Sequence, residues 1–120
     1  MKNKFLELAI KIARKNNNKP YNFVAIIVDR KNRIRSIGLN SYSKTHPLQK
    51  RYADIVGMPD REFLHAEIHA IVSLQDFSLT DIYTIYIARV NKQGKIMPAQ
   101  PCPICRKALG DYFIDNIITT

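Results

Sequence analysis

Residues Phe63 to Val72 read FLHAEIHAIV, two histidines four places apart with a glutamate between them. In the zinc-protease pattern H-E-x-x-H, both histidines hold the metal from one helical face and the adjacent glutamate acts as base. Here Glu67 stands one place too late for that arrangement. With about 3.6 residues per turn, a step of two positions rotates a side chain by about 200°. Glu67 is two places from both His65 and His69, so it faces away from any ion the pair would share. His65 and Glu67 can converge only on an ion beyond the first turn, where side chains curl over the helix end. Such a site takes one histidine from this helix and its other ligands from elsewhere.

One other stretch can supply them, PCPICR at residues 101–106. Cys102 and Cys105 have the C-x-x-C spacing that lets two thiolates reach one tetrahedral ion. Pro103 falls where a helix would start, a position that needs no N–H. A helix N-terminus also favours the thiolate that binds metal. With His65 the donor set becomes N, S and S, which leaves the fourth zinc position to water, as in a catalytic site. A lone C-x-x-C also occurs as a redox pair or as half of a zinc ribbon. The redox pair is expected early in a βαβ unit, and a four-cysteine ribbon is impossible with two cysteines.

The pattern around these motifs sets the fold expectation. Residues 3–15 place Phe5, Leu8, Ala9 and Ile12 at helical spacing, with Lys4, Lys11, Arg14 and Lys15 on the wetter side. NNNKP ends that helix, and NFVAIIV is a β-branched apolar run suited to a strand covered on both faces. DRKN is a turn into RIRSIGLN, a shorter and more polar edge strand. Ser41 to Phe63 shows little periodicity and reads as a long loop. A helix from about His65 to Leu74, a strand from about Ile82 to Val90, a helix opening in PCPICRKALGDYF and a last strand in DNIITT complete the chain. The order α-β-β-α-β-α-β predicts a single domain over residues 1–120. Its class is α/β, a three-layer α/β/α sandwich with a small mixed sheet. The hairpin makes the first pair antiparallel, and the two helical crossovers make the remaining pairs parallel.

Composition bounds the setting. The chain has 120 residues, 46 % hydrophobic and 24 % charged, a globular balance. No apolar run approaches the roughly 18 residues that cross a bilayer, so no membrane partner is expected. The opening MKNKFLELAIKIARKN carries charges throughout and reads as an amphipathic helix, not a secretion signal. A cytoplasmic protein is the expectation, with two cysteines used for metal or redox rather than as a structural bridge. The formal charge of +9 favours an anionic partner such as a nucleotide or nucleic acid, although basic faces also serve solubility alone.

HAE at 65–67 and PCPIC at 101–105 together resemble the signature of the cytidine deaminase-like zinc deaminases, H-x-E followed by P-C-x-x-C. The element order suits that family over nearly the whole chain. The resemblance implies a bound Zn2+ with His65, Cys102 and Cys105 as ligands, and Glu67 as the catalytic proton shuttle. It further implies Phe23 and Ala25 lining the base pocket, Asn40 holding a sugar hydroxyl, and the Ala66 N–H facing the base. Zinc brings the pKa of water down toward about 7, so hydroxide is at hand at neutral pH. Glu67 would move protons to the ring nitrogen and to the departing amine. The activity implied is hydrolytic deamination of cytosine to uracil in a free cytidine or deoxycytidine nucleoside or nucleotide. A base in RNA or single-stranded DNA, and adenine or guanine, remain alternative substrates. A noncatalytic zinc-binding interaction module is the alternative of another class, and it has no need of Glu67.

Three departures from the family pattern carry expectations of their own. Val24 stands where the family often has glycine, which would alter the pocket floor. The chain stops at Thr120, after the fourth expected strand, where many relatives continue; an open sheet edge there points to a homo-oligomer. The 24 residues from Ser41 to Leu64 form a longer insertion than the plainest members have. They interleave Lys44, His46, Lys50, Arg51 and Arg61 with Tyr42, Tyr52 and Phe63, a composition suited to a phosphate or a single strand. A solvated lid over packed rings fits the same residues equally well. His46 and His69 could join a second metal, but packing roles are the commoner use, and His69 is expected to pack or to face a neighbouring subunit.

Overall fold

The computed structural model describes residues 3–16, 19–74 and 83–120. Among these residues, four helices and five strands follow in the order α1 (Lys4–Lys15), β1 (Tyr21–Asp29), β2 (Ile34–Leu39), α2 (Pro47–Ile55), α3 (Ala66–Val72), β3 (Tyr83–Asn91), β4 (Ile96–Met97), α4 (Pro103–Asp111) and β5 (Asn116–Thr119). The five strands form one mixed sheet with helices on both faces, the α/β/α architecture expected. The expected start of the third strand at Ile82 lies outside the described residues.

Alternation along β1 builds two cores at once. Val24, Ile26 and Val28 face α1 and pack with Phe5, Ala9 and Ala13, while Ala25 and Ile27 face the layer formed by α2, α3 and α4. Asn3 caps α1, its side chain accepting from the Phe5 and Leu6 N–H groups at 3.0 and 3.2 Å. The strand is thus buried on both sides, as its continuous apolar run predicted.

The strand pairing corrects one expectation. β1 lies between β2 and β3 and is antiparallel to both; among the described residues only β3 and β5 pair in parallel. The crossover through α3 does join parallel strands, β2 and β3, but it passes over β1, which separates them. Consecutive parallel strands therefore need not be neighbours, and the hairpin partner fills the gap. The two-residue β4 pairs antiparallel with the end of β3, Met97 opposite Arg89 and Ile96 opposite Val90.

The segment read as a loop contains α2. His46 caps it, its Nδ1 accepting from the Leu48 N–H at 3.0 Å, and Pro47 occupies the first turn. Its buried face is Gln49, Tyr52 and Ala53, at i, i+3 and i+4. A glutamine at the head of that stripe hid the period. The segment also closes on itself, with the Ser41 N–H donating to the Leu64 carbonyl and the Leu64 N–H to the Lys44 carbonyl, both at 2.9 Å.

Gly38 decides how closely α3 can lie on β2. A Cβ there would run into the Ala66 carbonyl oxygen and the Ala70 nitrogen, both backbone atoms of the helix. Two further bonds tie the pair together. The Ser36 hydroxyl donates to the Ala70 carbonyl at 2.7 Å, and the Leu39 N–H donates to His69 Nδ1 at 2.9 Å. Among the described residues, no helix is long and apolar enough to cross a membrane.

Candidate metal centre and active site

The starts of α3 and α4 meet on the side of the sheet that carries Ala25 and Ile27. His65 is the extended residue that precedes α3, with φ −81° and ψ 154°, and its side chain makes no capping bond to the helix. Cys102 precedes α4 in the same way, with Pro103 in the first turn and Cys105 one turn further on. The imidazole is therefore free to face the sulfurs. His65 Nδ1 lies 3.5 Å from Cys102 Sγ and 3.4 Å from Cys105 Sγ, and the cysteines are not bridged to one another.

These separations suit a shared ion. Zinc bonds of about 2.3 Å to sulfur and about 2.0–2.1 Å to nitrogen, at the tetrahedral angle, put N and S about 3.6 Å apart. The three donor atoms all lie within 4.8 Å of one another, and they are the one such group among the described residues. The donor set also fits the chemistry, since thiolate and imidazole are the ligands zinc prefers. His46 and His69, weighed above for a second metal, have their Nδ1 atoms on the Leu48 and Leu39 N–H groups instead.

Electrostatics separates the two thiols. Cys102 is lowered to about 4, first by the hydrogen bond with Cys105 and then, against the opposing effect of burial, by His65. Cys105 is pushed well above the ordinary thiol value by its bond to Cys102, by burial and by the charge of Glu67. Burial works to lower His65, yet the Cys102 thiolate and Glu67 beside it hold the imidazole above its usual value. A thiolate is thus stabilised in the cluster at neutral pH, and that is the form a metal takes.

Glu67 sits in the first turn of α3 and is 5 % exposed. Burial raises its carboxyl pKa, against the lowering effect of its own backbone N–H and of His65. It lies at the floor of a cavity of about 390 Å³, within the range of small-molecule pockets. His65, Ala66, Cys102, Phe23 and Asn40 share the wall, and the exposed side chains of Tyr42, Arg61 and Phe63 stand around it.

The family model for the cytidine and deoxycytidylate deaminase zinc-binding region matches residues 1–120. The chain belongs to that family. A solved structure of a mutant cytidine deaminase from Mycobacterium tuberculosis is similar in fold, with a TM-score of 0.54 at 16 % identity. The match covers 96 % of this chain and 80 % of that one. No curated protein matches by sequence.

Within this deaminase-family chain, the residues singled out from sequence fall into two groups. His65, Cys102, Cys105 and Glu67 come together, and Phe23, Asn40 and Ala66 reach the cavity wall. Ala25 does not. It shares the face of β1 that carries Phe23 but lies two residues further along, fully buried in the core shared with α2, α3 and α4. Val24 is also removed from the pocket floor, because alternation turns it toward α1. Asn40 spends its amide on β1: Oδ1 accepts from the Phe23 N–H at 2.9 Å, and Nδ2 donates to the Tyr21 carbonyl at 3.2 Å. That leaves one N–H and one lone pair for a ligand. Gln49, Gly38 and Gln100, the last also lining the cavity, gave no sequence signal, since a polar residue on a helix or loop and a glycine in a strand look ordinary without their neighbours.

Proposed function

We propose that the chain catalyses zinc-dependent hydrolytic deamination of a nucleobase, cytosine to uracil in a free cytidine or deoxycytidine nucleoside or nucleotide. The observation that carries this reading is the buried Glu67 carboxyl on the cavity floor beside the His65, Cys102 and Cys105 donors. A structural zinc module has no use for a carboxyl kept there at the expense of burial.

His65, Cys102 and Cys105 would hold the ion, which when bound supplies Lewis acidity and hydroxide at neutral pH. Glu67 does the proton work. Its raised pKa suits a group that accepts a proton from the attacking water, lends it to the ring nitrogen and returns a proton to the exocyclic amine. Water adds to the amino-bearing carbon, the C–N bond breaks, and ammonia leaves with a carbonyl in its place. Phe23 offers an apolar wall for the base, the Ala66 N–H a donor toward it, and Asn40 its remaining amide capacity for a sugar hydroxyl. Arg61 beside the cavity suits a 5′-phosphate, with the Asp60 carboxylate next to it opposing a second anion.

A polynucleotide substrate is the second reading, favoured by Tyr42 at 50 % and Phe63 at 44 % exposure beside the cavity and by the charge of +9. Stacking rings and cations are what a single strand needs. The setting proposed is cytoplasmic, in keeping with two unbridged cysteines. Self-association as a homo-oligomer belongs to the same proposal, supported by the exposed Ile55 and Phe113, and light scattering would test it.

The deciding experiment follows ammonia release by zinc-loaded protein from cytidine, deoxycytidine, their monophosphates, adenosine, guanine and an oligonucleotide. Turnover of a cytosine nucleoside or nucleotide is expected. Turnover of the oligonucleotide alone, with binding that falls steeply with salt, would replace the first reading by the second.

A further inference from the structure

We infer that Gln49, on α2, is a positioning residue that fixes the backbone of the metal ligand His65; the inference rests on the metal-centre reading above. Gln49 is 0 % exposed. A buried amide destabilises the fold unless both its ends are bonded. Its Oε1 accepts from the His65 N–H and its Nε2 donates to the Arg61 carbonyl, each at 3.1 Å.

The start of α3 explains why such a brace is needed. Asn3 and His46 hold the starts of α1 and α2 with their own side chains. His65 occupies the same position before α3 but makes no capping bond, because its imidazole is turned to Cys102 and Cys105. A residue cannot cap its helix and ligate an ion with the same nitrogen. Gln49 supplies from a neighbouring helix the fixation that the ligand gives up.

The brace is itself anchored. One turn further along α2, the Tyr52 hydroxyl donates to Asp111 Oδ2 at 2.9 Å, at the end of α4. One helix face therefore reaches both metal-bearing helices, and the zipped ends of the 41–64 segment hold that helix in place. The Arg61 carbonyl ties the same amide to the residue beside the cavity. The segment acts as a clamp on the ligand set and is not merely a cover over it.

Groups that orient a metal ligand typically carry about 10- to 100-fold in metal affinity. Gln49→Met keeps similar bulk and removes both bonds. Tyr52→Phe is the control, since it removes a bond from the same helix face without touching a ligand. Zinc affinity is read by chelator competition, and the geometry by the absorption spectrum of the cobalt(II)-substituted protein. The expected result is a zinc affinity about tenfold or more weaker in Q49M with a shifted cobalt spectrum, whereas Y52F, which loosens α2 without freeing a ligand, loses thermal stability and changes both readouts much less. Equal behaviour of Q49M and Y52F in both readouts overturns the inference.

Gln49→Glu decides the matter if Q49M does not fold. A buried carboxyl in its neutral form offers both an acceptor and an O–H donor, so near-wild-type zinc affinity is expected. A tenfold loss in Q49E would count against the inference. A wild-type protein that binds no zinc would instead overturn the metal-centre reading, which keeps the two failures apart.

Discussion

Gly38→Ala perturbs the contact on which the whole site is built. The added methyl would meet the Ala66 carbonyl oxygen and the Ala70 nitrogen far inside contact distance. Even the third neighbour, Ala70 Cα, would lie at 3.0 Å, short of the 3.4 Å where ordinary contact begins. All three are backbone atoms, so no rotamer change relieves the overlap; β2 and α3 must separate. Overpacking of this kind costs about 1–3 kcal/mol, and occasionally more. For a domain of this size each kcal/mol corresponds to roughly 4 °C in Tm, which gives a drop of roughly 4–12 °C. The separation also moves Ala66, next to the proposed ligand His65, so zinc affinity should weaken along with stability. Thermal unfolding by circular dichroism and chelator competition read the two effects. A variant within about 2 °C of wild type and with unaltered zinc affinity would refute the close-packed helix on which the site geometry depends.

Asp29 gives a pH-dependent test in the β1–β2 turn. Burial would raise its pKa, but the backbone N–H groups of Arg33 and Lys31 and the Arg33 guanidinium bring it down to about 2. A carboxylate whose folded pKa lies below its unfolded value stabilises the fold fully above the unfolded value of 3.8 and loses that effect as pH falls through about 2. Asp29→Asn should therefore be less stable than wild type at neutral pH, with the gap in denaturant midpoint closing between pH 4 and pH 2; a gap independent of pH would remove the charge from the account. At the cavity, Arg61→Ala should raise KM for cytidine or deoxycytidine monophosphate about tenfold and leave the nucleosides nearly unchanged, as loss of one charge-assisted phosphate contact implies. Equal effects on both substrate types in steady-state assays would free Arg61 from phosphate binding.

The candidate donor set was legible because its spacing carries chemistry: H-x-E and C-x-x-C each open a helix, and His65, Cys102 and Cys105 are the one such group among the described residues. β1 was legible from its apolar run, and α1 from its period. The parts that were missed share a physical cause. α2 hides behind Gln49, whose polarity reads as exposed although its amide is fully bonded in the interior. The antiparallel β1–β3 pair reflects which strand lies between two others, a choice made by the packing of both cores rather than by either strand's own residues. Ala25 faces the correct side of the sheet, but how far the cavity penetrates along β1 depends on where α3 covers it.

The most direct measurement compares zinc-loaded wild type with Glu67→Gln, each assayed for zinc content and for ammonia released from cytosine substrates. One zinc per chain is expected in both proteins, with turnover in the variant lower by a factor of about 10² to 10⁴, the usual contribution of a positioned acid–base group. Turnover equal to wild type in a fully zinc-loaded variant would contradict the account.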